Sequence, residues 1–351
     1  MKGAIKARHV PARILVTGGT GFLGTHLVAR LVEEGHHVRL ISRSEPTQAA
    51  LKGAEWVKGD LTDREAVKKA LEKIEVVYHL AGRVSFDPKD ARAMYGLHVD
   101  CTRDLLKDCL AAKINRFVLA STSGTIAVSK TERVGTEADD YPIVAVGKWP
   151  YYLSKIYEEK LALDFCKKNE LPLVVLNPSL LLGPGDERLS STWTVLKFLN
   201  GEIPAMPGGG MSFVDVRDAA EAFVQALHRG ELYGRHLMGV NLSMRDFFER
   251  LERLTGVSAP KLSLGSNGNV LGAKLLEKWA KLRGSEPALL PADVEIAEHW
   301  FYLDSTKAER ELGFHARDPQ ETLHDTVQDL VSRMPPDALP GTKGKLAELR
   351  K

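Results

Sequence analysis

A glycine-rich segment, residues 17–24 with the sequence TGGTGFLG, constrains the fold of this chain more than any other feature. It lies between a predicted buried strand, residues 13–17, and a predicted helix, residues 25–34. Glycines at such a junction let the backbone turn tightly and let a pyrophosphate approach the amides, and the helix then presents unpaired N–H groups to the phosphate. The alternative is a structural turn without a ligand, but the order of strand, turn and helix favours a dinucleotide site. The residues of the turn predicted to contact the dinucleotide are Gly18, Gly21, Phe22 and Leu23.

Short β-branched runs alternate with helical patterns throughout the first half of the chain. Strands that alternate with helices indicate right-handed crossovers and a parallel sheet. The predicted fold is therefore α/β, a Rossmann-like doubly wound parallel sheet with a smaller C-terminal substrate-binding lobe. The predicted strands are residues 13–17, 37–41, 55–57, 76–80, 117–120 and 173–176, and the predicted helices are residues 25–34, 63–71, 91–112 and 151–168.

The pattern changes after Pro178, where glycines and prolines break the chain into loops and short elements. We predict a dinucleotide-binding Rossmann domain over residues 12–178, to which residues 213–228 and about 304–331 return. The predicted substrate-binding lobe takes residues 179–212 and 229–303, and residues 334–351 are predicted to form a flexible tail.

One helical stripe of the predicted lobe, residues 271–282, is apolar on one face and flanked by lysines. Most stripes of this kind pack into a core. The alternative is an apolar cap over a lipid-like, polyketide or aromatic ketone that also makes peripheral contact with a membrane. The apolar residues of the stripe are Leu271, Leu275, Trp279 and Leu282.

The end of the second strand discriminates between the two nicotinamide dinucleotides. An NAD site usually has an Asp or Glu there, about 20 residues after the glycine turn, which accepts from the ribose 2′-hydroxyl. This strand instead ends in Ser42, Arg43 and Ser44. A guanidinium suits a 2′-phosphate, which a carboxylate would repel, so the sequence favours NADP(H) over NAD(H). The alternative interpretation of Arg43 is a solvated loop charge.

Two further strand ends are candidates for the same cofactor site. Asp60 and Leu61 follow the third strand, and Asp60 is predicted either to accept from the adenine amino group or to cap the next helix. Leu80, Ala81 and Gly82 follow the fourth strand, at the carboxyl edge where open α/β sheets bind ligands. We predict cofactor contacts at all five residues.

A Tyr-x-x-x-Lys pair begins the predicted helix 151–168. Tyr151 and Lys155 are four residues apart, so their side chains share one helix face, whereas the rival Tyr152 is only three residues from the lysine. A phenol with its ordinary pKa of about 10 is a poor acid or base at neutral pH, and a nearby ammonium lowers that pKa. The same ammonium can hydrogen-bond the nicotinamide ribose. Ser123 follows the fifth strand and could hold the substrate oxygen while the cofactor transfers the hydride.

In combination these segments resemble the extended short-chain dehydrogenases/reductases, close to the dihydroflavonol-reductase-like, 3β-hydroxysteroid-dehydrogenase-like and epimerase/dehydratase branches. The resemblance covers about residues 12–330. It implies Ser123 as the catalytic hydroxyl and Tyr151 as the acid/base with Lys155 as its partner. It also implies that Pro178 contacts the nicotinamide end. The segments that carry it are residues 17–24, 59–61, 79–82, 121–123, 151–155, 177–178, 183–185, 213–218, 304–307 and 311–314.

One position departs from the pattern of that family. His98 stands where such proteins usually carry Asn, and Cys101 stands where they often carry Gly. The proton-relay or helix-bracing role of that position is therefore in question. His98 either replaces the hydrogen bond of the Asn or packs in the core, and the sequence favours packing.

The charge and the cysteine count exclude several classes of protein. A net charge of +2 over 351 residues gives no bulk electrostatic grip on nucleic acid. The three cysteines form no CxxC pair and are an odd number, which favours a reducing compartment, and we expect a cytoplasmic protein. No apolar run reaches the roughly 18 residues that span a bilayer, and residues 1–13 do not read as a secretory signal. No metal site is predicted.

The predicted function is an NADP(H)-dependent oxidoreductase that reduces a ketone, or oxidises a secondary alcohol, on an apolar small molecule. One alternative is an NAD-dependent nucleotide-sugar epimerase or dehydratase, which shares the fold and the triad. Another is a non-catalytic, nucleotide-sensing member of the family. Homologous folds often pair through helices equivalent to residues 91–112 and 151–168, so we also expect a homodimer.

Overall fold

A computed structural model describes residues 10–263, 268, 271–272 and 291–334 of the chain. In chain order the strands are β1 (Arg13–Thr17), β2 (His37–Ser42), β3 (Glu55–Lys58), β4 (Val76–His79), β5 (Arg116–Ala120), β6 (Leu173–Pro178), β7 (Leu180–Leu182), β8 (Gly210–Asp215), β9 (Arg235–Met238) and β10 (Val240–Ser243). The helices are α1 (Phe22–Glu33), α2 (Arg64–Leu71), α3 (Ala91–Tyr95), α4 (Thr102–Ala111), α5 (Ile143–Val146), α6 (Pro150–Lys168), α7 (Trp193–Leu199), α8 (Val216–Gln225), α9 (Met244–Thr255), α10 (Pro291–Ala297), α11 (Thr306–Leu312) and α12 (Pro319–Arg333).

Seven strands form a parallel central sheet in the order β3-β2-β1-β4-β5-β6-β9. The chain passes from β1 outward to β3 and then returns to place β4 on the other side of β1. This reversal opens a crevice at the carboxyl ends of β1 and β4, which is where doubly wound sheets bind dinucleotides. The predicted Rossmann-like α/β fold is confirmed.

Both faces of the sheet are covered by helices, and the strands are accordingly apolar on both sides. Neighbouring residues of β1 face opposite sides of the sheet. Ile14 and Val16 pack under α1 and α8. Leu15 packs on the other side, against α2, α4 and α6. Strands buried on both faces read as continuous apolar runs rather than alternating ones. That property explains why the sequence pattern finds these strands so readily.

The helix that follows β4 is interrupted where the sequence predicts one continuous helix over residues 91–112. A π-helical turn, Gly96–Cys101, joins α3 to α4. Such turns add one residue to a helical turn and are common at functional sites. His98 and Cys101, which depart from the family pattern, are both buried in this turn.

The C-terminal lobe is built on a second sheet of three strands. β8 lies in its centre, antiparallel to β10 and parallel to β7. Apolar residues of α7, α9 and α12 form a core on this sheet, and they include Phe198, Phe247, Phe248, Leu323 and Val327. A smaller lobe beside the dinucleotide-binding sheet is therefore present.

The domain boundaries stay a prediction. Two elements, β9 and α12, pack in a different part of the molecule from the one that those boundaries assign to them. β9 falls within the lobe segment 229–303, yet it pairs with β6 as the edge strand of the central sheet. α12 falls within the segment 304–331, yet it packs against α9 in the lobe core. In each case buried apolar side chains, such as Leu237 of β9 and Leu323 of α12, decide the placement.

Several predictions concern residues that the structure does not describe. Leu271 is exposed, whereas the other apolar residues of the stripe 271–282 lie outside the described residues, and so does the tail from residue 335 onward. Within the described part of the chain, none of the helices combines the length and the apolar character that a membrane crossing requires.

The close packing of α1 on the glycine turn predicts how the chain responds to one added methyl group. A Cβ on Gly24 would lie 2.2 Å from the carbonyl oxygen of Gly18 and 2.7 Å from Cα of Gly19, both backbone atoms. A Cβ on Gly96 would meet nothing within 4 Å. Gly24→Ala should therefore lower the free energy of unfolding by about 1–3 kcal/mol through overpacking. Gly96→Ala, the matched control, should be neutral or stabilising by up to about 1 kcal/mol because alanine favours a helix.

Urea unfolding followed by circular dichroism measures both variants. Equal unfolding midpoints for the two would contradict the packing described for the turn.

Candidate active site

The glycine turn presses directly against the end of β4. Gly18 has a φ of +71°, and a Cβ there would lie 2.6 Å from the backbone nitrogen of Ala81. The N–H of Gly21 donates to the carbonyl of Gly18 at 2.9 Å, which closes the turn. Gly21 is the N-cap of α1 and supplies no side-chain cap, so the first N–H groups of the helix are left for an anion. The turn therefore has the shape and polarity of a pyrophosphate cradle.

The end of β4 is tied to the same turn by a hydroxyl. The Ala81 N–H donates to Oγ1 of Thr17, the last residue of β1, at 3.3 Å. Leu80 and Gly82 flank Ala81, and Gly82 lies against His98. The segment 80–82 thus borders the crevice between β1 and β4.

Arg43 projects from the end of β2 with 84% of its side chain exposed, and its Nε lies 4.0 Å from Oδ2 of Asp60. Asp60 does not cap the following helix. Its carboxylate accepts from the N–H and hydroxyl of Thr62, both at 3.0 Å, whereas Asp63 caps α2. The helix-cap alternative for Asp60 is therefore wrong. Both side chains remain accessible at the edge of the crevice.

The three predicted catalytic residues come from two elements that meet at the end of β5. Ser123 opens a short 3₁₀ turn, Ser123–Thr125, three residues after that strand, and it is buried. Tyr151 and Lys155 lie one turn apart at the start of α6. The Lys155 ammonium donates to the carbonyl of Ala120, the last residue of β5, at 2.7 Å. This bond fixes α6 against the strand that leads to Ser123.

A second acceptor for the Lys155 ammonium is Glu158, one turn further along α6. Its Oε2 forms an ion pair with Nζ of Lys155, and both side chains are buried. Oε1 accepts from the hydroxyl of Thr102 on α4 at 3.1 Å. Burial raises the pKa of Glu158, while Lys155 and Thr102 oppose that shift.

The surroundings of Tyr151 favour its protonated form. Burial raises the pKa of the phenol to about 12, the Thr122 side chain opposes this shift, and the charge of Glu158 adds to it. The direction is opposite to the lowering expected from Lys155. The reason is that burial of the phenol outweighs the opposing effect of Thr122. The Lys155 ammonium itself is engaged by Ala120 and Glu158.

His98 is a hydrogen-bonded brace rather than a simple packing residue. The backbone N–H of Arg83 donates to its Nε2 at 3.0 Å, so the ring proton is on Nδ1, which lies 2.8 Å from Oγ of Ser154. Burial lowers the pKa of His98 to about 2, so the ring is neutral. His98 therefore joins the segment after β4 to the helix that carries Tyr151.

A buried carboxylate also fixes the strand ends around Ser123. Glu159 accepts from the hydroxyls of Ser121 and Thr125 and from the amide of Asn177, which lies 2.8 Å away at the end of β6. Pro178 follows Asn177 at this point. The ends of β5 and β6 are thus held to α6 by one side chain.

Sequence reasoning did not find Glu158 or Glu159 because consecutive glutamates in a helix usually face solvent. A usable signal was present. Glu158 is three residues after Lys155, on the same helix face, and a lysine that must be buried needs a counter-ion.

Aromatic side chains surround Tyr151. The rings of Phe86 and Tyr152 lie with their centroids 6.0 and 5.2 Å from the Tyr151 ring, and Phe301 packs on Tyr152 at 5.9 Å. Gly124 allows this packing, because a Cβ there would lie 2.1 Å from the Tyr152 ring. Among the residues that the structure describes, no three His, Cys, Asp or Glu side chains are grouped as metal ligands.

Comparison with known proteins identifies the family of this chain. The model of the NAD dependent epimerase/dehydratase family matches residues 14–237. A putative dihydroflavonol 4-reductase of Synechocystis sp. is 31% identical, over 90% of this chain and 92% of its own length. Sterol demethylase protein B of Methylococcus capsulatus is 30% identical, over 89% of this chain and 96% of its own length.

Solved structures share the fold over nearly the whole chain. The structure of gox2253 superposes with a TM-score of 0.77 at 28% identity and covers 91% of this chain and 98% of its own. The UDP-glucose 4-epimerase of Thermotoga maritima gives a TM-score of 0.71 at 22% identity, with the same shares covered, and shows likeness of fold alone. The chain belongs to the NAD dependent epimerase/dehydratase family, that is, to the extended short-chain dehydrogenases/reductases.

Proposed function

We propose that this chain is an NADP(H)-dependent oxidoreductase that reduces a ketone, or oxidises the corresponding secondary alcohol, on an apolar small molecule. The observation that carries the proposal is the hydrogen bond from the Lys155 ammonium to the carbonyl of Ala120, which fixes the helix of Tyr151 against the strand that leads to Ser123. Relatives named as reductases, which match over most of their length, support a redox reaction.

The residues present fit a dinucleotide. The backbone at Gly18 is too close to Ala81 for any side chain, and the uncapped start of α1 faces the same cradle. When bound, the nicotinamide supplies or accepts the hydride. The proposed cofactor contacts are Gly18, Gly21, Phe22, Leu23, Arg43, Asp60, Leu61, Leu80, Ala81, Gly82, Tyr151, Lys155 and Pro178.

The proposed preference for NADP(H) rests on Arg43. Its guanidinium is exposed at the end of β2 and is only loosely paired, 4.0 Å from Asp60. A loosely held guanidinium can turn to a 2′-phosphate at small energetic cost. The strand end itself offers no carboxylate for a ribose 2′-hydroxyl.

In the proposed reaction, the Ser123 hydroxyl holds the substrate carbonyl oxygen and the Tyr151 hydroxyl donates its proton to that oxygen. Lys155 stabilises the tyrosinate that remains, and water returns the proton afterwards. The aromatic rings of Phe86 and Tyr152 exclude water from the phenol. The same rings offer an apolar surface to the substrate, which supports an apolar ketone.

An epimerase or dehydratase acting on a nucleotide sugar is the second candidate. The family match favours it, because that family is named for both reactions. The lack of a carboxylate at the end of β2 disfavours the NAD on which that candidate depends. Incubation with UDP-glucose separates the two, because an epimerase isomerises the sugar without net change in the cofactor. A non-catalytic sensor would do neither.

We also propose a homodimer in the cytoplasm. The outer faces of α3, α4 and α6 line an open groove of about 810 Å³. Tyr95 and Tyr157 pack on each other in this groove, and Tyr157 is 46% exposed. The groove has an apolar floor with charged residues along it, and such a surface on α3, α4 and α6 suits pairing with a second copy about a two-fold axis. The three cysteines are free and buried, which supports a reducing compartment.

The catalytic role of Tyr151 predicts a large loss of rate in Tyr151→Phe. Without the hydroxyl the substrate receives no proton, and kcat should fall by about 10²- to 10⁴-fold. Tyr152→Phe is the matched control and should stay within a few-fold of wild type. NADPH consumption with a panel of apolar ketones measures both. Equal slow turnover in wild type and Tyr151→Phe would remove the proposed acid.

The cofactor preference predicts a selective effect of Arg43→Ala. Loss of a charge-assisted bond worth about 1.5–3 kcal/mol should weaken NADPH binding by about ten- to a hundredfold, with NADH binding little changed. Lys52→Ala removes an exposed cation that precedes β3, away from the carboxyl end of β2, and serves as the control. Fluorescence titration measures the affinities. Tighter binding of NADH than of NADPH by wild type would overturn the preference.

The proposed dimer predicts that Tyr157→Arg yields monomers, because a charge would be buried at the interface. Val144→Arg, at an apolar position that is 96% exposed on another helix, should leave the dimer intact. Light scattering coupled to gel filtration gives the masses. A wild-type monomer, or a dimeric Tyr157→Arg variant, would refute this interface.

A further inference from the structure

His98 departs from the family pattern, and it has no role in the reaction as proposed so far. It lies in the π-helical turn between α3 and α4 and is completely buried. A ring nitrogen that is buried without a hydrogen-bond partner costs free energy, so a buried histidine needs partners on both nitrogens. The two partners of His98 lie on two sides of the proposed site.

One edge of the ring holds the segment that follows β4. The backbone N–H of Arg83 donates to Nε2 of His98 at 3.0 Å. Gly82 lies against the same nitrogen, since a Cβ on this glycine would be only 3.3 Å from it. Residues 80–82 are among the proposed cofactor contacts. The hydrogen bond from Arg83 therefore fixes the backbone next to the proposed position of the dinucleotide.

The other edge of the ring holds the first turn of α6. Because Nε2 accepts a hydrogen bond, the ring proton is on Nδ1, which donates to Oγ of Ser154 at 2.8 Å. The Ser154 hydroxyl donates in turn to the backbone carbonyl of Tyr151 at 2.8 Å. The rings of His98 and Tyr151 are nearly perpendicular, with their centroids 6.1 Å apart. A directed chain of hydrogen bonds thus runs from Arg83 through His98 and Ser154 to Tyr151.

This ring acts through its geometry and not by carrying a proton. Burial, with the charge of Lys155 as a smaller cause, lowers the pKa of His98 to about 2, so the imidazole is neutral at physiological pH. A neutral imidazole has one N–H and one lone pair. Both are used by Ser154 and Arg83.

We propose that His98 is a positioning residue that sets the place of Tyr151 relative to the cofactor, with Nε2 holding the segment after β4 and Nδ1 holding the start of α6. The inference rests on the proposed function. Reacting groups must be held in a narrow range of distances, and a misplacement of about 1 Å can lower a rate by about a hundredfold. Because the two nitrogens have different partners, their contributions can be separated by substitution.

Two amide side chains make this separation. The amide of His98→Gln reaches the place of Nε2 and accepts from Arg83, but Ser154 loses its donor. The amide of His98→Asn takes the place of Nδ1 and donates to Ser154, but the Arg83 N–H loses its acceptor. In His98→Gln, kcat should fall by about ten- to a hundredfold, with the NADPH affinity within a few-fold of wild type. In His98→Asn, NADPH should bind about tenfold more weakly, with kcat at saturating NADPH within a few-fold of wild type.

Stopped-flow or steady-state kinetics give kcat, and fluorescence titration gives the NADPH affinity. The same pattern of losses in both variants would overturn the proposal, and so would wild-type behaviour of both. His228→Gln, at an exposed histidine that follows α8, is the matched control and should change neither quantity.

A double-mutant cycle tests the chain between His98 and Tyr151. Ser154→Ala removes the same connection as His98→Gln and should lower kcat to a similar extent. The double variant should be no slower than the slower single variant, because only one connection is lost. Losses of kcat that multiply in the double variant would contradict the chain.

Nuclear magnetic resonance of the wild-type protein without cofactor decides the matter if a variant does not fold. With ¹⁵N-labelled histidine, the His98 ring is identified by its proton contacts with the Tyr151 ring. Its Nδ1 should carry the proton and its Nε2 should remain bare from about pH 5 to 8. A ring that carries its proton on Nε2 would overturn the proposal, because it could not accept from Arg83.

Activity separates this inference from the proposed function. Wild type that turns over none of the ketones or alcohols refutes the proposed function, and the NADPH affinity of His98→Asn and the ring tautomer then judge His98. Active wild type with an unchanged kcat in His98→Gln refutes the role of His98 alone.

Discussion

A buried ammonium at the end of β5 sets the requirement that the rest of the site meets. Moving an ion from water into the interior costs several kcal/mol, so the charge of Lys155 must be balanced where it lies. The Ala120 carbonyl and Glu158 provide that balance from the strand and from the same helix. Because Glu158 is in turn held by Thr102, the positions of β5, α4 and α6 are linked through one charge pair.

The same linkage extends to the cofactor side. Thr17 and His79 connect the glycine turn and the end of β4 to Thr102, and His98 connects the segment after β4 to Ser154 on α6. The π-helical turn Gly96–Cys101 is what brings His98 into this position. Two separate polar paths therefore join the crevice where a dinucleotide fits to the helix that carries Tyr151. Buried hydrogen-bonded networks of this kind rigidify a site.

Much of the fold could be predicted from the sequence because local signals and tertiary structure agree. Strands buried on both faces are uniformly apolar, so the sequence pattern locates them. The glycine turn locates the start of α1, and the Tyr151–Lys155 spacing locates the start of α6. What could not be predicted depends on distant contacts. The π turn arises inside a stretch with ordinary helical periodicity, and β9 joins the central sheet by pairing with β6, about 60 residues earlier in the chain. The pairing of Glu158 with Lys155 required knowledge that both are buried.

A crystal structure of the protein with NADPH tests the central claim most directly. The account predicts the pyrophosphate at residues 18–24, the Lys155 ammonium on the nicotinamide ribose, and the Tyr151 hydroxyl beside C4 of the nicotinamide ring. A nicotinamide that lies away from Tyr151, or a glycine turn that does not hold the dinucleotide at all, would contradict it.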